Sequence, residues 1–167
     1  MITRRLQTTL FASLLLFALA FLPPLVHEAH AEAEMQVVYH ADFADARRFS
    51  AMLTSINNMV THYQNHFIDA DVRIVFVAHG IRFLTDDPLT DSPFAEDAAL
   101  REQRETLRGR LLSLNSVHGV KLELCEITRS GIGLAEGALY DSIELVPSGV
   151  VRIAELQQQG FSYLKIE

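Results

Sequence analysis

The chain has 167 residues, 49% of them apolar and 21% charged, with a formal net charge of −7 and a single cysteine, Cys125. That acidic balance argues against nucleic acid or an anionic membrane surface as a partner. One thiol excludes an intramolecular disulfide framework, so Cys125 is buried and inert, paired between chains, or kept for chemistry.

The chain opens like an export precursor, with a cleavable signal peptide over residues 1–31. Arg4 and Arg5 give a positive start, Leu10 to Leu22 form a short apolar stretch, and Pro23-Pro24 break it. Ala29-His30-Ala31 then supplies the small-x-small pattern of a cleavage site, which predicts a periplasmic product. No later stretch approaches the roughly 20 apolar residues of a membrane span, so no stable membrane insertion is expected after cleavage. The leader's Arg4, Arg5 and Glu28 carry a net +1, so residues 32–167 carry −8. That remainder is long enough for a single domain and too short for two.

Met35 to His40 reads as a short buried strand. Phe49, Met52, Leu53, Ile56, Met59, Val60, Tyr63 and Phe67 then recur at three and four residues, the stripe of a long amphipathic helix. Val72 to Ala78 contains the continuous apolar run Ile74-Val75-Phe76-Val77, which suits a central strand covered on both faces. Gly80 to Asp97, with Pro88, Pro93 and many acids, predicts a long loop. Leu100, Leu107, Leu111 and Leu114 line a second helix, for which Asp97 and Arg101 have the favourable i,i+4 order. A third strand ends at Cys125, and a short helix is expected over roughly Ile132 to Tyr140. Ser142 to Val146 predicts a fourth strand, Ser148 caps a last helix that Gly160 terminates, and Phe161 to Ile166 closes the chain as a strand. Strands alternating with helices require crossovers. The predicted fold is therefore α/β, a three-layer α/β/α sandwich with a mainly parallel sheet.

In such sheets reactive groups gather outside the carboxyl ends of the strands, where this order places His40, His79 and Cys125. A thiol near imidazoles and ahead of a helix N-terminus is a usable nucleophile, whereas the adjacent carboxylate of Glu126 works against the thiolate. The same three residues also suit zinc or copper, although their spacing matches no metal motif. His62 and His66 lie one helical turn apart but off the apolar stripe, and read as solvated or subunit-facing. Gly131-Ile132-Gly133 lacks the third glycine of a dinucleotide fingerprint, and no Walker loop or Gly-x-Ser-x-Gly occurs, so no cofactor is expected.

Val37-Val38-Tyr39-His40, Val75-Phe76-Val77-Ala78-His79-Gly80, Gly119 to Cys125 and Val146-Pro147-Ser148-Gly149-Val150-Val151, in that order, resemble the exported branch of the DsrE/DsrF-like family. The chain differs from that pattern at Ile81 and at Ile127-Thr128. The resemblance implies a flavodoxin-like fold, a homotrimer or homohexamer, and kinship with sulfur-relay proteins that carry sulfur as a cysteine persulfide. On it, Cys125 maps onto the reactive cysteine, with His40 and His79 tuning the site and a sulfur-donor or acceptor protein as partner. The rival expectation is a non-catalytic ligand-binding or assembly module of the same fold.

Overall fold

The apolar runs become five parallel strands in a computed structural model that describes residues 33–167. The expected leader lies outside the described residues. The strands are β1 (Met35–Ala41), β2 (Ala70–Phe76), β3 (Lys121–Cys125), β4 (Ile143–Val146) and β5 (Ser162–Leu164), in the order β4-β3-β2-β1-β5. Central β2 is covered on both faces, which is why Ile74, Val75 and Phe76 run on without alternation and are all fully buried.

From β1 to β4 every crossover steps the same way across the sheet, and right-handed connections then stack their helices on one face. There α1 (Ala46–Asn65) and α2 (Ala98–His118) bury Phe49, Met52, Leu53, Ile56, Leu107 and Leu111 against Tyr39, Ile74, Phe76 and Leu122. The return from β4 to β5 runs the other way and lays α4 (Gly149–Gln158) on the opposite face. Its Ile153 and Leu156 pack with Val38, Val75 and Phe161. The result is the expected α/β/α sandwich. Ala33–Glu167 forms one compact unit, and no helix among the described residues is long and apolar enough to cross a membrane.

Four local expectations change. α1 ends at Asn65, leaving Phe67 at φ 56° and 96% exposed, so the apolar stripe stops one turn early. The predicted loop opens with a 3-10 helix, Ala78–Phe83, whose buried Arg82 donates to the carbonyls of Ala44 and Ala95 and to Asp97. Asp97 accordingly does not pair with Arg101. It caps α2 by accepting from the Leu100 N–H at 2.8 Å, and Arg101 turns to Glu96 instead. Finally, the helix expected over 132–140 forms earlier, as α3 (Glu126–Gly131), because Gly133 at φ 67° turns the chain and leaves only a 3-10 turn at Glu136–Ala138.

Candidate functional site

The connections after β3 and β4 part company at the carboxyl edge of the sheet. Beyond β3, α3 leads to Leu134 in the α1/α2 core, whereas the chain leaving β4 enters α4 on the other face. Such a divergence opens the crevice where α/β sheets bind ligands. Cys125, the last residue of β3, stands opposite Val146 of β4 at that divergence.

Cys125 is also the N-cap residue of α3, and the first residue of α4, Gly149, packs directly on it. A Cβ on Gly149 would lie 3.0 Å from Cys125 Cβ and 2.6 Å from Val77 Cγ2, so only glycine lets this helix start here. The Ser148 side chain caps α4 by accepting from the Val151 N–H. The starts of two helices therefore meet at Cys125. Cys125 is only 4% exposed, and that burial raises the thiol pKa. The Gly149, Thr128 and Ile127 backbones and the Thr128 side chain work the other way, and the net pKa is lowered. The expected penalty from Glu126 is blunted, because Arg129 grips that carboxylate at 2.6 and 2.8 Å.

The two histidines share the sheet edge with Cys125 without reaching it. His40 is the penultimate residue of β1, with β2 between it and β3, and strands lie about 4.8 Å apart. Its Nδ1 is 3.0 Å from the Tyr163 hydroxyl, and Nε2 is 3.9 Å from Asp42, which Lys165 holds at 2.9 Å. Desolvation lowers the His40 pKa against the attraction of Asp42, and Lys165 adds to the lowering, so the ring is neutral at pH 7. His79, in the 3-10 helix beyond β2, sets its ring edge-on to Phe94 at 5.3 Å, and its buried Nδ1 has no hydrogen-bond partner. Among the described residues no hydrogen bond joins either histidine to Cys125.

No group of three or more His, Cys, Asp or Glu among the described residues is placed to hold a metal ion, so the His40/His79/Cys125 metal centre is not assembled. His62 and His66 are exposed, their rings 4.3 Å apart. Under α4 the face of β3 carries a different charge cluster. Glu123, 1% exposed, accepts from Arg152 at 2.7 and 2.9 Å and from Arg73 at 3.0 Å, and Arg73 and Lys121 also hold Asp71.

With that geometry in hand, the comparisons decide the family. The sequence profile of the DsrE/DsrF-like family matches residues 37–166. The chain belongs to the DsrE/DsrF-like family. A solved structure of a protein of unknown function, MTH1491 from Methanobacterium thermoautotrophicum, superposes with a TM-score of 0.60 at 20% identity, covering 78% of this chain and 98% of that one. It shares the fold. No curated protein matches the chain. Membership of this family suggests a role related to sulfur relay.

Thr128 and Gly149 are the site residues that sequence reasoning passed over. The capping serine ahead of Gly149 was a local signal for the start of α4, but nothing local says that this start lands on residue 125.

Proposed function

We propose that the protein is an exported sulfur handler in which Cys125 accepts and passes on a sulfane sulfur. One observation carries the reading: a single buried thiol at the carboxyl edge of the sheet, with the start of α4 packed on it at Gly149. In the transfer, the Cys125 thiolate attacks the outer sulfur of a donor persulfide. A new S–S bond forms to Cys125 while the donor's own S–S bond breaks, and the electron pair leaves with the donor thiolate. The count of S–S bonds is unchanged, so no separate oxidant or reductant is needed. His40 and His79 would act at the mouth of the site, on the approaching donor or acceptor, because neither touches the sulfur. The sequence of residues 1–31 supports export to the periplasm.

Mass spectrometry after treatment with polysulfide tests the carrier role: Cys125 gains about 32 Da per sulfur, and Cys125→Ser gains nothing. An unmodified Cys125 overturns the reading. A second reading, a non-catalytic binding or assembly module, draws on the burial of that same thiol. It predicts that Cys125→Ser leaves physiological function intact.

Apolar surface rims the site, with Ile127 in the first turn of α3 and Val150 and Val151 in the first turn of α4 between 54% and 66% exposed. We propose that this rim contributes to a homotrimer or homohexamer, with no inter-chain disulfide because Cys125 is buried. Light scattering gives the same oligomer with and without reductant. A monomer refutes the assembly, and an oligomer that dissociates on reduction makes Cys125 structural.

A further inference from the structure

We infer that His62 and His66, at the carboxyl end of α1, form a two-histidine site for a divalent ion of the zinc or copper class. The site is separate from Cys125. α1 starts beyond the carboxyl end of β1 and runs back for 20 residues, about 30 Å, to the opposite edge of the sheet where β2 begins.

Residues four apart on a helix share a face, and these two imidazole rings lie with centroids 4.3 Å apart and planes tilted by 35°. At the ~2.0–2.1 Å of a zinc–imidazole bond, one ion can bridge a nitrogen of each ring. The tautomer of His66 is already set for this. Its Nδ1 lies 2.8 Å from the His62 carbonyl oxygen, and a carbonyl only accepts, so Nδ1 carries the proton and donates it. In the neutral ring Nε2 then keeps its lone pair. Metal-binding histidines are held in this manner, the second ring N–H on a backbone carbonyl that fixes tautomer and orientation. The helix end adds its field, because the negative pole of the α1 dipole favours a cation. The turn beneath the rings is closed as well. His66 N–H donates to the His62 and Tyr63 carbonyls at 3.2 and 3.1 Å, Phe67 N–H to Gln64 at 3.1 Å, and Ile68 N–H to Tyr63 at 3.0 Å. Those bonds hold Phe67 at φ 56°, a left-handed conformation that a bulky residue rarely adopts, with its side chain left in solvent. Backbone strain of this kind, kept by the surrounding contacts, concentrates where a protein preorganises a site. Both histidines are exposed, so an ion reaches them without displacing protein. Among the described residues no third His, Cys, Asp or Glu joins the pair, so water fills the remaining coordination positions.

Calorimetric titration with zinc chloride is the test, zinc being chosen because it has no redox chemistry with which to oxidise Cys125. One ion binds per chain, and His62→Gln and His66→Gln each weaken binding at least about tenfold. Zinc raises the melting temperature of the wild-type protein and not that of either variant. Two controls fix the location. His118→Gln removes the exposed histidine at the end of α2, which bonds Gln64 at 3.0 Å, and Cys125→Ser removes the thiol; both bind zinc as the wild type does. The pH profile of Cys125 alkylation by iodoacetamide is likewise the same with and without zinc. Absence of saturable binding overturns the inference. So does binding that survives the loss of either His62 or His66, or that Cys125→Ser abolishes. The site uses no sulfur chemistry, so a failed sulfur transfer leaves it standing.

Discussion

Replacing Gly149 by alanine probes the contact on which the thiol site is built. The new methyl group would sit 2.6 Å from Val77 Cγ2 and 3.0 Å from Cys125 Cβ, well inside the 3.5–4.0 Å at which carbon atoms pack. Neither neighbour yields easily. Val77 is β-branched and stiff about χ1, and Cys125 Cβ is one bond from the backbone of β3. Overpacking of this kind costs ~1–3 kcal/mol, whereas the alanine recovers only ~0.4–1 kcal/mol through the lower entropy of the unfolded chain. The clash therefore wins, for a net loss of about 1–2 kcal/mol. The start of α4 must back away from β3 to make room, which moves the Gly149 backbone, one of the groups that lower the thiol pKa, away from Cys125. That move leaves burial less fully opposed, so the thiol pKa rises. Urea denaturation and the alkylation profile read the two effects separately. Gly109→Ala is the control: nothing lies within 4 Å of that Cβ position in mid-α2, and the variant should gain about 1 kcal/mol. A Gly149→Ala protein with wild-type stability and a wild-type thiol profile would falsify the packing argument.

Arg152→Leu removes two of the three side-chain hydrogen bonds to Glu123 and leaves a buried carboxylate with Arg73 alone; the loss is about 2–4 kcal/mol, read as a lower urea midpoint at constant m. Asp71 and Glu123 are both desolvated, yet their arginine and lysine partners hold their pKa values below the ordinary carboxylate range. Their stabilisation is therefore complete above that range and disappears as pH falls through the lowered values, so acid unfolding should begin below about pH 4, and at higher pH in Arg152→Leu. Asp97→Ala deletes the cap of α2 and a partner of buried Arg82, for a cost of about 1–2 kcal/mol by thermal melting.

Where burial alone dictates the pattern, the sequence is readable. The central strand announces itself as Ile74-Val75-Phe76 because both faces are covered, and the α1 stripe because one side meets the sheet. The short segments are harder. β5 spans three residues, and α3 is one and a half turns long with glycines at its end, so neither builds a periodic signal. The strand order, too, is a long-range property, and it decides which edge residues meet. His40, His79 and Cys125 do lie on one edge, as their strand-end positions imply, but β2 stands between His40 and the thiol, and His79 turns to Phe94.

What activates the sulfur is consequently not the pair of imidazoles that the sequence makes conspicuous. The groups that lower its pKa are the backbones of residues 127, 128 and 149 and the Thr128 side chain. An amide carries no side-chain signature, so a site made of amides is invisible until the helix starts are placed. It does leave a trace in the residues that must stay small or conformationally special to let the amides approach: Gly149 against Cys125, Gly80 against Ala41, and Ala78 in its left-handed turn. A titratable donor such as histidine would switch off as it lost its proton, whereas amides and a hydroxyl donate at every pH at which the protein is folded. The thiolate fraction of Cys125 should then follow a single one-proton curve across the neutral range, with no shoulder from His40 or His79. Alkylation rates of His40→Gln and His79→Gln that superimpose on the wild-type profile would bear this out, and a displaced midpoint in either variant would return the imidazoles to the site.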